Sequence, residues 1–304
     1  MPTELSLDLS LVDHHCHGVS PADLDYKAFQ AMFSESYLPP PDGTSEFQKP
    51  LGLVIRRFCA PVLDLEPLCK GEAYVARRLE LGAAEVNRRF LTGSGLDRLL
   101  VDTGHRSDAI LGCQDMGRVS GRPAHEVVRI EAVAEGVARS GASAGDFPDA
   151  FAAALEARTK EAVGLKTIVA YRTTFRIDQS APAKADVIGA AGAWFRKANE
   201  TGRWRLDDGV IVRHGLWLGA ELCRARKLPM QVHVGFGDPE FALLQAVDDA
   251  FDRRPGRAFH LVDGQHRASF PGAVDHELQF VDAGALGCGL LPRGPGGLAR
   301  DHRA

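Results

Sequence analysis

The chain has 304 residues with 36 Lys plus Arg against 40 Asp plus Glu, a near balance that leaves no basic field to draw in nucleic acid or anionic lipid. Six scattered cysteines without a CxxC pair exclude the dense disulfide framework of small secreted domains, and the expectation is reduced thiols in a cytoplasmic protein. The N-terminus lacks a basic or apolar signal region and no apolar run approaches the roughly 18 residues a bilayer requires, so neither export nor membrane insertion is expected.

Short apolar runs, each too brief for a helix and each closed by turn chemistry, alternate with helix-like segments, which is the pattern of a parallel α/β sheet. The first expected strand is Leu9 to His15. About eighty residues follow before the next, with a helix expected from Pro50 to Phe58, and this insertion of about 19–96 is expected to cap the site as a lid. Strands are then expected over Arg98 to Asp102, Val127 to Ala132, Val163 to Ala170 and Pro229 to Val234. Helices are expected over Asp146 to Ala162, Val187 to Ala198 and Gly209 to Lys227, where apolar residues recur at helical spacing.

After Asp238 the character changes. Residues 251–304 hold nine Gly, four Pro and seven Arg with no Lys, a composition close to that of disordered chain. Three further strand-helix units need roughly 90 residues, and 66 remain after Asp238. A barrel over residues 1–240, incomplete after its fifth strand, is therefore expected, followed by an atypical tail over 241–304 of the kind a shifted reading frame in a GC-rich gene also yields.

The sharpest signal is Val12-Asp13-His14-His15-Cys16-His17-Gly18. Alternation along a strand sends His15 and His17 to one face, about 7 Å apart, where two imidazoles can grip one cation. A third imidazole, His233 in Met230-Gln231-Val232-His233-Val234-Gly235, stands near the end of the fifth strand. Lys166 lies inside the apolar run 163–170, where desolvation lowers the proton affinity of its amine. It can then act as a catalytic amine, become a carbamate between metals, or snorkel from the strand end. Arg129 and Glu131 are expected on one strand face as an internal ion pair. Asp102 and His105 are expected in a simple turn, with a supporting role at the site as the alternative. Arg56 and Arg57 read as solvated helix residues, with a substrate carboxylate as the alternative partner.

Taken together, Val-Asp-His-His-Cys-His at 12 to 17, Leu-Leu-Val-Asp-Thr-Gly at 99 to 104, Gly-Leu-Lys-Thr-Ile-Val-Ala-Tyr-Arg at 164 to 172 and Gln-Val-His-Val-Gly-Phe-Gly-Asp at 231 to 238 resemble the amidohydrolase superfamily. The likeness is to its amidohydrolase-related (family 2) group, as in the domain fused to some glutamine synthetase-like proteins. It spans residues 1 to about 240. The resemblance implies a (β/α)8 TIM-type barrel with His15, His17 and His233 as metal ligands and Lys166 in the fourth-strand position. It also implies a sixth-strand His and an eighth-strand Asp acting as base, for which His260 and Asp282 are weak stand-ins.

The expected activity is metal-dependent hydrolysis of a C–N or related bond in a small molecule through a metal-activated water. Zinc is the first cation expected, with manganese or iron next. Metal-dependent decarboxylation and a catalytically inactive truncated barrel stay open as alternatives. The expected partner is a small-molecule substrate, with no nucleic acid and no membrane, and homo-oligomer formation stays open.

Overall fold

The computed structural model describes residues 10–33, 43–174 and 176–233. These divide into two compact units, one of residues 10–22 with 96–233 and the other of residues 23–95. His260, Asp282 and the tail over 241–304 lie outside the described residues, as do residues 234–240.

The chain enters the first unit through β1 (Leu11–Cys16), two residues later than expected at its start and one later at its end. It then builds the second unit from α1 (Tyr26–Ala31), α2 (Pro50–Val54), α3 (Gly71–Leu81) and α4 (Ala83–Gly93). The helix expected over Pro50 to Phe58 is α2 followed by one wide π-type turn, Ile55–Cys59. Phe47 is the hub of this unit: Tyr26 stacks on it at 5.5 Å, Phe33 meets it edge-on at 5.0 Å and Tyr74 at 6.1 Å. Burying rings of this size stabilises by about 1.5–3 kcal/mol each. Arg56 is not a solvated helix residue. Its guanidinium donates to the carbonyls of Cys69 at 2.5 Å, Leu68 at 2.7 Å and Phe47 at 3.3 Å, so it ties the unit's own backbone together.

Returning to the first unit, β2 (Leu96–Asp102), α5 (Cys113–Ser120), β3 (Ala124–Arg129), α6 (Ile130–Arg139), α7 (Phe147–Arg158), β4 (Gly164–Thr167), α8 (Lys184–Thr201), α9 (Gly209–Arg226) and β5 (Met230–Val232) follow in turn. The five strands pair parallel in the order β1-β2-β3-β4-β5. Each crossover from β2 onward carries helices, and the sheet curls into a half-barrel. The α/β class and the five parallel strands agree with expectation. The curl has a direct measure, because Gln231 of β5 donates from Nε2 to the His14 carbonyl of β1 at 2.6 Å, although three strands separate them in the sheet.

The core of this unit lies between the strands and their helices, where Phe147, Phe151, Leu165, Trp194 and Ile211 are buried together. Local chemistry sets the ends of its longest helices. Asp208 caps α9 by accepting from the amides of Val210 at 2.9 Å and Ile211 at 3.1 Å, and Lys227 in the left-handed region ends it. Two strands end three residues earlier than expected, β3 by a shift of the whole strand and β4 by shortening. β3 stops at Arg129, so Glu131 belongs to the first turn of α6, and β4 stops at Thr167 before a 3-10 turn, Val169–Tyr171.

Among the described residues Cys16, Cys69, Cys113 and Cys223 are free thiols. Among the described residues no helix is long and apolar enough to cross a membrane.

Candidate functional site

All five strands run the same way, so their C-terminal ends share one edge, where α/β folds gather their chemistry. That edge carries His15 in β1 and His17 just past it, Asp102 closing β2, Arg129 closing β3, Lys166 in β4 and His233 just past β5. The strand register sets Arg129 beside Lys166 and Lys166 beside Gln231.

Asp102 is the electrostatic centre. It is 1% exposed, and its Oδ2 accepts from Arg129 Nε at 3.0 Å, from Arg129 Nη2 at 2.5 Å and from Lys166 Nζ at 3.2 Å. Its Oδ1 accepts from the Gly104 amide at 2.8 Å. Burial pushes the Asp102 carboxyl up, but the Lys166 and Arg129 cations outweigh it and hold the group below the usual carboxylate range. Burial likewise lowers the proton affinity of Lys166, with Asp102 opposing. Lys166 is 1% exposed, so it does not snorkel to solvent; it is drawn inward onto a carboxylate. The ion pair expected between Arg129 and Glu131 does not form. The backbone turns helical at Ile130, which swings Glu131 away to β4, while Arg129 reaches back to Asp102.

The imidazoles form two pairs. His233 Nδ1 lies 3.1 Å from His15 Nε2, with the rings edge to face at 5.0 Å. His17 stands 4.8 Å from His105, ring to ring, and its Nδ1 lies 3.0 Å from the Asp102 carbonyl. A proton on Nδ1 satisfies that carbonyl and leaves the Nε2 lone pair for a ligand. Burial, then the Lys166 and Arg129 cations, push the His233 imidazole down to about 4. Burial also holds His17 below its ordinary value, against the pull of Asp102. These rings are therefore neutral near pH 7, the state in which imidazole binds metal.

Two nitrogens bound tetrahedrally to zinc at about 2.05 Å sit about 3.3 Å apart, so the 3.1 Å between His15 and His233 suits neighbouring positions on one cation. Among the described residues, however, no group of three His, Cys, Asp or Glu side chains is gathered closely enough to hold a metal ion. The structure brings His15 and His233 together and sets His17 beside His105 instead.

Neighbouring residues fix this edge. Asp13 accepts from the His15 amide at 3.2 Å. Cys16 turns its thiol to the Leu100 carbonyl at 3.5 Å, and burial raises its pKa well above the ordinary thiol. A Cβ at Gly18 would lie 1.8 Å from the Leu111 carbonyl oxygen, so only glycine fits directly after His17. The central role of Asp102 has a signal in the sequence, since two cations in apolar strands require a buried acid and Asp102 ends the neighbouring one.

No protein-family model matches the chain, and no curated protein matches it. A crystal structure of a protein from Lactobacillus casei ATCC 334, provisionally named a metal-dependent hydrolase, is similar in fold. The TM-score is 0.63 at 23% identity, covering 84% of this chain and 67% of that one.

Proposed function

We propose that this chain is a metal-dependent hydrolase of the amidohydrolase type, acting on a C–N or related bond of a small molecule. Its sheet is then the first part of a (β/α)8 plan, with His15, His17 and His233 as the metal ligands and Lys166 as a catalytic residue. The observation that carries this reading is the meeting of His15 and His233, 218 residues apart in sequence and 3.1 Å apart in space, at the C-terminal edge of a parallel sheet. The name of the Lactobacillus casei protein supports the same class.

A divalent cation held there supplies the Lewis acidity that hydrolysis of such a bond needs, and zinc suits the nitrogen donors best, with manganese or iron next. The chain's own groups have distinct tasks. Arg129 and Lys166 hold Asp102 ionised, and the Asp102 carbonyl fixes the tautomer in which His17 presents Nε2. Lys166, whose Nζ lies 3.2 Å from Asp102 Oδ2, is the residue we assign to stabilising a developing negative charge on the substrate.

Elemental analysis of the purified chain tests the assignment. About one equivalent of a divalent metal is expected in the parent, falling at least tenfold in His15→Ala and in His233→Ala. A metal-free parent that also takes up no zinc on titration, or two variants that keep the parent's metal, overturns it.

A further inference from the structure

We propose that Glu131 is a positioning residue that sets the His233 imidazole through the end of β4. The consequence for metal binding rests on the ligand assignment above; the geometry does not.

Glu131 lies two residues beyond Arg129 in the first turn of α6 and is 1% exposed. A buried acid is costly unless its oxygens are used, and here one of them is. Its Oε1 accepts from the Thr167 hydroxyl at 2.5 Å and from the Ile168 amide at 3.0 Å. Thr167 is the last residue of β4, and at Ile168 the chain leaves the strand for the 3-10 turn. The Ile168 amide thus bonds to this side chain at the point where the strand ends.

The next link is the Thr167 carbonyl, which accepts from the His233 amide at 2.9 Å. The turn that Ile168 opens also carries Tyr171, whose ring lies 5.2 Å from the His233 ring. One carboxyl therefore fixes both the backbone that holds His233 and the turn that presents its aromatic neighbour. An acid at the start of a helix is often there only for the helix dipole. In this case its donors are 36 and 37 residues away, on the strand beside the site.

Among the described residues Glu131 Oε2 has no hydrogen-bond partner, so Oε1 alone makes these bonds to β4. Burial pushes the Glu131 carboxyl above its usual range, against the bonds from Thr167 and Ile168. Glutamine, with one carbonyl oxygen for the same two donors, is then the conservative substitute and alanine the disruptive one.

The test compares full-length parent, E131Q, E131A and T167V by amide hydrogen exchange and by titration of the metal-free chains with cobalt(II). In E131A, exchange at Ile168 and His233 is expected to quicken at least tenfold while Leu99, bonded to the Pro123 carbonyl between β2 and β3, stays within twofold. E131Q should match the parent within twofold at all three amides. Cobalt affinity should fall about tenfold in E131A and recover in E131Q. Unchanged exchange at His233 in E131A, or equal acceleration at Leu99, overturns the proposal. If E131A does not fold, T167V decides: a several-fold rise at His233 supports the proposal and no rise overturns it. A parent that binds no cobalt sinks the ligand assignment, while the exchange measurements still decide the role of Glu131.

Discussion

Asp102, Arg129 and Lys166 share one buried oxygen, and single substitutions there should have unequal costs. Asp102→Ala leaves two cations buried without their carboxylate and should destabilise by about 3–5 kcal/mol in urea unfolding. Lys166→Met replaces one cation by an apolar chain of similar length and leaves Asp102 paired with Arg129. Its cost should stay near 1 kcal/mol, because losing a desolvated charge offsets the lost attraction. The sequence made Lys166 conspicuous, since a lysine in an apolar run needs an explanation. It misassigned the partner of Arg129 because an extended strand through Ala132 would put Glu131 on the same face, and the strand stops three residues earlier. A single backbone change at Ile130 decides which acid Arg129 meets.

Among the elements, α9 approaches the first unit's core closely at Gly215 and Gly219. A Cβ at Gly219 would lie 2.6 Å from Ile130 Cδ1 and 2.8 Å from Met230 Cε, so Gly219→Val should destabilise by about 1–3 kcal/mol by overpacking, read as a lower urea midpoint. On the same helix His214 stands 6.1 Å from the Phe151 ring, and among the described residues its Nε2 has no hydrogen-bond partner. Burial lowers its pKa below the ordinary 6.5, against the opposing pull of the Pro148 backbone. The unfolded chain therefore binds a proton at His214 that the folded chain refuses, and stability rises with pH across the interval just below 6.5. His214→Phe should flatten that part of the stability curve, measured as urea midpoints between pH 5 and 7. Helices such as α8 and α9 were legible because apolar periodicity lies within one stretch of chain. The three-residue β5 was legible as an apolar run, while its end, like that of β4, depends on partners from other strands.

At the scale of the molecule, ligand binding to the folded state alone should raise stability. A divalent metal at 100 times its dissociation constant adds about 2.7 kcal/mol, and His15→Ala should abolish the increment in a thermal melt with and without zinc. In the second unit, Phe47→Ala should cost about 3–5 kcal/mol, since Tyr26, Phe33 and Tyr74 all close on that ring. The alternation of apolar runs with helical periods by itself determined a parallel α/β order, five strands and the insertion after the first, because each is written in local spacing and composition. Tertiary structure alone decided that β1 and β5 approach through Gln231 and His14, that His15 meets His233 while His17 meets His105, and that Asp102 holds both cations. The physical reason is that sheet curl and charge pairing act between residues far apart in the chain, where no sequence period records them.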